Sequence, residues 1–360
     1  MSQPVRYYNL SLQDRETLVA SLMKSRTIIA PVAKDREFVF DRITEPSQIR
    51  WEYTRTILPP KKFLFPPKEN LIRFHLNEER VHVEPVLETE ETVLLALHPC
   101  DIHAIKQLDW IFQDEQDDPN YIERRRHCLI VGIDCQPDEF CLCDSVGTSE
   151  AHDGFDLFLH RTQRGYLAEI GTENGRSALL EAMPAAEPSK RQRYRADPKT
   201  CPVHLDVDVN SLPLLLSMAY DSPVWEEWGT RCFACGSCNL VCPTCYCFDV
   251  LDRMDLTLSE GTRERHWDGC LLDDFAKVAS GENFRSKRGA RIRHNYYRKF
   301  KYLMQKYGQS HCVGCGRCSR ACPAKIYRHS VVNDIVNWAQ KNRSASYRPV
   351  ALGTSSEPEE

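Results

Sequence analysis

Two runs of four cysteines in the C-terminal half constrain this chain more than any other feature. Each run has the spacing C-x2-C-x2-C-x3-C-P, which is typical of bacterial ferredoxins that bind a 4Fe–4S cluster. The first run comprises Cys232, Cys235, Cys238 and Cys242, and the second comprises Cys312, Cys315, Cys318 and Cys322. Glycines inside the runs allow a tight loop to wrap around a cluster and point its N–H groups at the sulfurs.

In two-cluster ferredoxins, the fourth cysteine of each run binds the cluster of the other run. The spacing therefore predicts two ligand sets that cross between the runs. Cluster 1 takes Cys232, Cys235, Cys238 and Cys322. Cluster 2 takes Cys312, Cys315, Cys318 and Cys242. A chain built in this way transfers electrons one at a time.

Structural zinc is the main alternative for these cysteines, because tetrahedral sulfur sites suit zinc as well as iron–sulfur clusters. Zinc sites usually separate two C-x2-C pairs by a spacer, and the uninterrupted runs favour iron–sulfur. Disulfides are disfavoured, because the start of the chain, MSQPVRYYNLSLQD, lacks the apolar segment of a secretory signal. We expect a cytoplasmic protein whose seventeen cysteines serve mainly as metal ligands.

The length of 360 residues is enough for two domains. We predict an α/β domain over residues 1–180, followed by a mostly helical, two-cluster ferredoxin-like domain over residues 201–340. Residues 181–200 combine Pro, Ala and charge without apolar periodicity, which indicates a linker. The end of the chain, residues 341–360, is predicted to be disordered.

The α/β prediction depends on two short apolar segments. Residues 93–97 (VLLAL) and 129–133 (LIVGI) have the composition of strands buried in a parallel sheet, and residues 102–112 between them have a helical pattern. Together they predict a βαβ unit.

Each predicted strand leads into a cysteine, and ligands in open α/β sheets bind beyond the carboxyl ends of strands. We therefore predict a third 4Fe–4S cluster, with four ligands from these strand-end loops: Cys100, Cys135, Cys141 and Cys143. The alternative is a set of packed thiols, since free cysteine behaves as a small apolar residue. Packing is the interpretation that we favour for Cys128 and Cys201.

Three more cysteines follow the first run: Cys245, Cys247 and Cys270. They are candidate ligands of a fourth cluster with one non-cysteine ligand, alternative ligands of another cluster, or residues that tune the environment of a sulfur. The spacing alone leaves these readings open.

The remaining patterns argue mostly against other classes of protein. Residues 285–306 carry nine Lys or Arg and no acidic residue, but this segment lies between the cysteine runs, so we interpret it as a cationic environment for anionic clusters or partners rather than as a nucleic-acid surface. The longest apolar stretch, residues 212–220, is too short to span a bilayer.

No G-x-G-x-x-G or G-x4-G-K-[ST] motif for flavin, NAD or nucleotide binding follows a strand.

Segments over most of residues 1–335 closely resemble the β subunit of cytosolic NiFe sulfhydrogenases, and the family also resembles the A subunit of anaerobic sulfite reductase. The segments that carry the resemblance are WEYTRTILPPKKFLFPPKENL, LHPCDIHAIKQLD, IDCQPDEFCLCD, HDGFDLFLH, RCFACGSCNLVCPTCYCFDV, ERHWDGC, ENFR and HCVGCGRCSRACPAKI. All fifteen candidate cysteines match the family pattern. The TRT-x-LPPKKF and DGFDLFLH segments look more like the hydrogenase branch.

The resemblance implies a hetero-oligomer with three other kinds of subunit: a NiFe catalytic subunit, a flavin subunit that uses NAD(P)H, and a small Fe–S subunit. In this complex the chain would be a non-catalytic electron carrier. Two alternatives remain at this stage. One is the A subunit of a sulfite-reductase-type or other flavin-linked complex, and the other is a zinc-stabilised interaction module.

Overall fold

The computed structural model describes residues 6–76, 80–189 and 200–342. Half of the predicted linker, residues 190–199, and nearly all of the predicted disordered tail, residues 343–360, lie outside the described residues. Helix Glu173–Ala182 ends within the first two residues of the predicted linker, which begins at residue 181.

Eleven strands and eleven α-helices make up the described parts of the chain. The strands are β1 (Tyr7–Leu10), β2 (Thr27–Lys34), β3 (Glu37–Arg42), β4 (Lys68–Leu76), β5 (Val81–Pro85), β6 (Thr92–Leu97), β7 (Cys128–Ile133), β8 (Leu157–Thr162), β9 (Gly165–Ile170), β10 (Phe248–Met254) and β11 (Glu260–Trp267). The helices are α1 (Leu12–Leu22), α2 (Pro99–Phe112), α3 (Pro119–Arg126), α4 (Glu173–Ala182), α5 (Leu212–Met218), α6 (Val224–Arg231), α7 (Ser237–Leu240), α8 (Arg288–Tyr297), α9 (Leu303–Tyr307), α10 (Arg317–Arg320) and α11 (Arg328–Lys341).

A seven-stranded sheet in the order β1-β9-β8-β7-β6-β2-β3 forms the centre of the first half. Strands β6 and β7 pair in parallel and α2 lies between them in sequence, so the predicted βαβ unit is confirmed. All six residues of β7 are buried, which explains its uninterrupted apolar sequence. Apolar side chains fill both faces of this sheet: α1 and α4 pack on one face, and α2 and α3 pack on the other.

A second sheet, in the order β10-β11-β4-β5, combines strands from both halves of the chain. Strands β4 and β11 are antiparallel, with His75 opposite Glu260 at one end and Lys68 opposite His266 at the other. The expectation of a mostly helical second half is therefore not confirmed, because β10 and β11 form a hairpin in it. Every residue of β10 is exposed, so no buried apolar face marks this strand in the sequence.

The helices of the second half pack around an apolar core of their own, formed mainly by α5, α6, α8 and α11. Helix α8 continues through a π-helical turn, Arg298–Tyr302, into α9. Such turns insert one extra residue into a helix and are frequent at functional sites. Before α8, the chain forms the short 3-10 turn Asp274–Ala276.

Candidate iron–sulfur centres

The two cysteine runs fold into loops of nearly identical geometry. Gly236 precedes α7 with φ 71° and ψ −5°, and Gly316 precedes α10 with φ 71° and ψ −6°. Both conformations are left-handed, where glycine has no steric cost. Helices α7 and α10 pack against each other, so the two similar cysteine loops lie next to each other.

The first cavity between these loops is lined by cysteines from both runs: Cys232, Cys238, Cys318 and Cys322. The structure thus brings three of the four predicted cluster 1 ligands together, including Cys322 from the opposite run. Cys235 is exposed and does not line the cavity, whereas Cys318, a predicted ligand of cluster 2, does line it.

Backbone N–H groups point at two of the thiols of this cavity. The N–H of Ala234 donates to Cys232 Sγ at 3.4 Å, and the N–H of Ile326 donates to Cys322 Sγ at 3.3 Å. Hydrogen bonds to sulfur stabilise the thiolate form and tune the reduction potential of a cluster. The geometry therefore fits the binding of a cluster by thiolates.

The second ligand set gathers around Cys315. Burial raises the pKa of Cys315 to about 12; Arg317 opposes this effect, while the neighbouring thiols of Cys318 and Cys242 add to it. Cys242 is thus close to the second run, as the crossed assignment requires. Its own loop is held there by Thr244, whose hydroxyl donates to the carbonyl of His311 at 2.6 Å.

The third predicted ligand set lines one cavity at the carboxyl ends of β6 and β7. All four thiols, those of Cys100, Cys135, Cys141 and Cys143, take part in this lining. The backbone N–H of Asp138 donates to Cys141 Sγ at 3.4 Å, so one thiol of this set, like two of the first set, accepts a backbone hydrogen bond. The structure thus brings the four predicted side chains together at one edge of the sheet.

An irregular end of β6 positions Cys100 in this cavity. Ala96 has φ 59°, which is uncommon for a residue with a side chain, and the pairing of β6 with β7 shifts register at this point. The hydroxyl of Tyr53 donates to the Ala96 carbonyl at 2.8 Å, and the Tyr53 ring stacks on His98 with 4.0 Å between centroids. Cys100 then lies in the first turn of α2.

Two buried arginines lie where the second run meets the cavity of the third ligand set, which we call the third cavity. Arg317 forms a bidentate ion pair with Asp101, with N–O distances of 2.7 and 2.8 Å. Arg55 donates to the carbonyl of Cys315 at 2.9 Å and pairs with Asp138. Both guanidinium groups line the third cavity together with Cys315, so the second and third sites share a wall.

The loop that carries Cys141 and Cys143 packs directly on the second run. The N–H of Leu142 donates to the carbonyl of Gly314 at 2.9 Å. A side chain at Gly314 would meet the Cys143 backbone at 2.6 Å, so this close approach requires glycine. The two halves of the chain therefore contact each other at the proposed ligands.

Cys201 is a neighbour of the third site that sequence analysis did not assign to it. Its sulfur lies 3.4 Å from Cys143 Sγ, and its N–H donates to Asp144 at 3.0 Å. Only the burial of Cys201 was expected. His103 takes no part in this cavity; its Nε2 atom instead lies 2.7 Å from the carbonyl of Glu150.

No group of three His, Cys, Asp or Glu side chains in residues 6–76, 80–189 and 200–342 is arranged to hold a single metal ion. This finding applies equally to the ferredoxin-type runs and to the other cysteine sets. A cluster is bound differently, since each thiolate binds its own iron atom.

Comparison with known proteins agrees with this geometry. Residues 231–326 match the family model described as a 4Fe-4S dicluster domain. The chain is also similar to sulfhydrogenase 2 subunit beta of Pyrococcus furiosus, with 34% identity over 336 residues that cover 92% of this chain and 98% of that protein. The chain belongs to the sulfhydrogenase beta-subunit family. No solved structure matches it.

Membership of the sulfhydrogenase beta-subunit family supports an iron–sulfur electron-transfer role in an oxidoreductase, with 4Fe–4S clusters in the dicluster domain. None of the helices in the described ranges combines the length and apolar character needed to cross a bilayer. The predicted basic segment, residues 285–306, contributes both surface charge and one buried ammonium, that of Lys299.

Proposed function

We propose that this chain is the iron–sulfur electron-transfer subunit of a cytoplasmic NiFe hydrogenase complex. It would carry electrons between a flavin subunit that uses NAD(P)H and a hydrogenase module, which combines a NiFe catalytic subunit with a small Fe–S subunit. The observation that supports this most is the similarity to a sulfhydrogenase beta subunit over almost the entire length of both chains.

The residues around the thiols suit this role. When bound, a 4Fe–4S cluster supplies one-electron chemistry. The buried guanidinium group of Arg328 lies 3.8 Å from Cys318 Sγ and balances negative charge on the sulfurs. Backbone N–H groups and burial are the other means by which the chain sets a potential.

Native purification tests the proposed partners. We expect the chain, purified without oxygen from its own cells, to bring down both the NiFe and the flavin subunit, and to contain at least about twelve irons, four for each of three clusters. Mass spectrometry and iron analysis check both expectations. A sirohaem subunit in place of the NiFe subunit would move the assignment to the sulfite-reductase branch, and zinc in place of iron would contradict electron transfer altogether.

The third cluster is part of the proposal, and the shared cavity of its four cysteines supports it. We expect Cys135→Ser to lower the iron content by roughly four atoms per chain, because a cluster needs its full ligand set. Iron analysis of the intact chain checks this. The control is Cys128→Ala, a buried cysteine at the start of β7 and outside the cavity, which should keep all the iron. Equal iron in the Cys135→Ser chain and the wild type would contradict a third cluster.

A further inference from the structure

We propose that Cys245, Cys247 and Cys270 form a fourth iron–sulfur site, buried between the two ferredoxin-type loops and the β10–β11 hairpin. The inference extends the proposed function and rests on its premise that the chain carries clusters. It is independent of which partner subunits the chain binds.

The fold brings these three thiols together from separate segments. Cys247 directly precedes β10 and Cys270 follows β11, and the hairpin is closed at this end by the N–H of Asp268, which donates to the carbonyl of Cys247 at 3.0 Å. Cys245 lies on the loop after α7. Asn239 links Cys245 to Cys270, because its Nδ2 atom lies 3.6 Å from the sulfur of each cysteine.

Two buried asparagines aim N–H donors at the sulfurs, and their orientation is fixed by their other contacts. Asn239 Oδ1 accepts from the N–H of Leu271 at 3.3 Å, so its Nδ2 must face the thiols. Asn295 Oδ1 accepts from Arg328 at 2.8 Å, and its Nδ2 lies 3.3 Å from Cys270 Sγ. Donors placed in this way favour thiolates, which are the ligand form of cysteine.

Two buried lysines provide positive charge next to the same thiols. The side chains of Lys61 and Lys299 are about as deeply buried as the apolar core, with exposures of 2% and 4%. Lys61 donates to the carbonyl of Cys245, and Lys299 donates to Thr244 Oγ1, both at 2.5 Å. Among the described residues, neither ammonium has a carboxylate within ion-pair distance.

Buried ammonium groups are costly unless a negative charge accompanies them. The Lys61 ammonium lies 4.2 Å from the centroid of the Trp267 ring and donates to the Cys245 carbonyl, and no carboxylate in the described residues supplies a compensating negative charge. A thiolate-bound, anionic iron–sulfur cluster would supply that charge.

Packed free thiols would have different surroundings. A cysteine that acts only as a small apolar residue contacts other apolar groups. Here two amide donors reach the sulfurs, and two ammonium groups bind the loop that carries Cys245. These surroundings suit an anionic group and would be poor neighbours for a thiol packed as hydrocarbon.

The fourth site also adjoins the first cavity. Asn295 lines that cavity and donates to Cys270, so a single side chain contacts both sites. Cys245 also contacts a predicted ligand of cluster 2, since its N–H donates to the carbonyl of Cys242 at 3.4 Å. A cluster at this position would lie next to both ferredoxin-type sites.

Cys270→Ser tests the site. We expect the variant, purified without oxygen, to contain roughly three to four irons fewer per chain than the wild type, because one ligand of the cluster is lost. Mössbauer spectroscopy of the 57Fe-labelled chain should show one cluster fewer. Cys128→Ala, the buried cysteine outside all these sites, should leave both readouts unchanged.

Unchanged iron in Cys270→Ser, or loss of zinc rather than iron, would overturn the fourth site. If the variant does not fold, Mössbauer spectroscopy of the unmutated chain and of Cys135→Ser decides the matter, because three clusters in the first and two in the second would equally overturn it. Failure of the proposed function is recognised separately: in that case the wild-type chain would contain no iron, or would purify without redox partners.

Discussion

In the proposed hydrogenase complex, we expect Cys235→Ser to abolish nearly all NAD(P)H-linked hydrogen turnover while dye-linked turnover at the proposed NiFe subunit stays close to the wild type. The variant should also lose roughly four irons, since Cys235 is one of four predicted ligands of cluster 1. Cys235 is exposed, so the substitution leaves the packing of the loop intact. Assays with NAD(P)H and with a redox dye, together with iron analysis, check the prediction.

The matched control is Ser237→Ala in the same loop. The Ser237 hydroxyl lies 3.3 Å from Cys235 Sγ, so its removal changes a contact to sulfur without removing a ligand. This variant should keep its iron and most of its NAD(P)H-linked turnover. If Cys235→Ser lost both activities equally, cluster 1 would be a structural element rather than part of the electron path.

Asp101→Ala should lower the free energy of unfolding by about 3–5 kcal/mol, because it leaves the guanidinium of Arg317 buried without its carboxylate. The side chains of both residues are almost fully buried, at 2% exposure for Arg317 and 0% for Asp101. The remaining contacts of Arg317, to the carbonyl and hydroxyl of Thr56, are neutral. Urea titration without oxygen, followed by tryptophan fluorescence, measures the change.

Glu37→Ala is the control for this prediction. Glu37 pairs with Arg320 of the same short helix, α10, at 2.7 Å, but both side chains are exposed, at 39% and 46%. Exposed ion pairs contribute only about 0–1 kcal/mol. Similar losses in the two variants would show that burial does not govern the energetics of the contact between the two halves.

The central βαβ unit could be predicted because β6 and β7 are buried on both faces and carry uninterrupted apolar runs. The second sheet could not be predicted in the same way. Strand β10 is exposed along its whole length, and β4 pairs with β11, a strand far away in the sequence. Local periodicity contains no information about such a pairing, because it reports only which face of a segment is buried.

In the candidate sites, too, local sequence patterns predicted some residues and only the fold showed the others. The spacing of the two runs predicted the ferredoxin-type cysteines as ligands. The positions of Cys100 and Cys135 after predicted strands predicted a site at the carboxyl edge of the sheet. The groups around the thiols were missed: Lys61 comes from the 3-10 turn Pro60–Phe63 in the first half, and Asn239 and Asn295 come from helices, all without a recognisable spacing. Only the fold shows that these side chains face the sulfurs.

The pairing of β4 with β11 has a consequence for synthesis of the chain. Ribosomes add about 5–20 residues per second, so β4 waits on the order of ten seconds or more before residues 260–267 are made. During that time one edge of β4 has no partner strand, and open strand edges invite pairing with other chains. This edge of β4 is therefore open to pairing with other chains until residues 260–267 have left the ribosome.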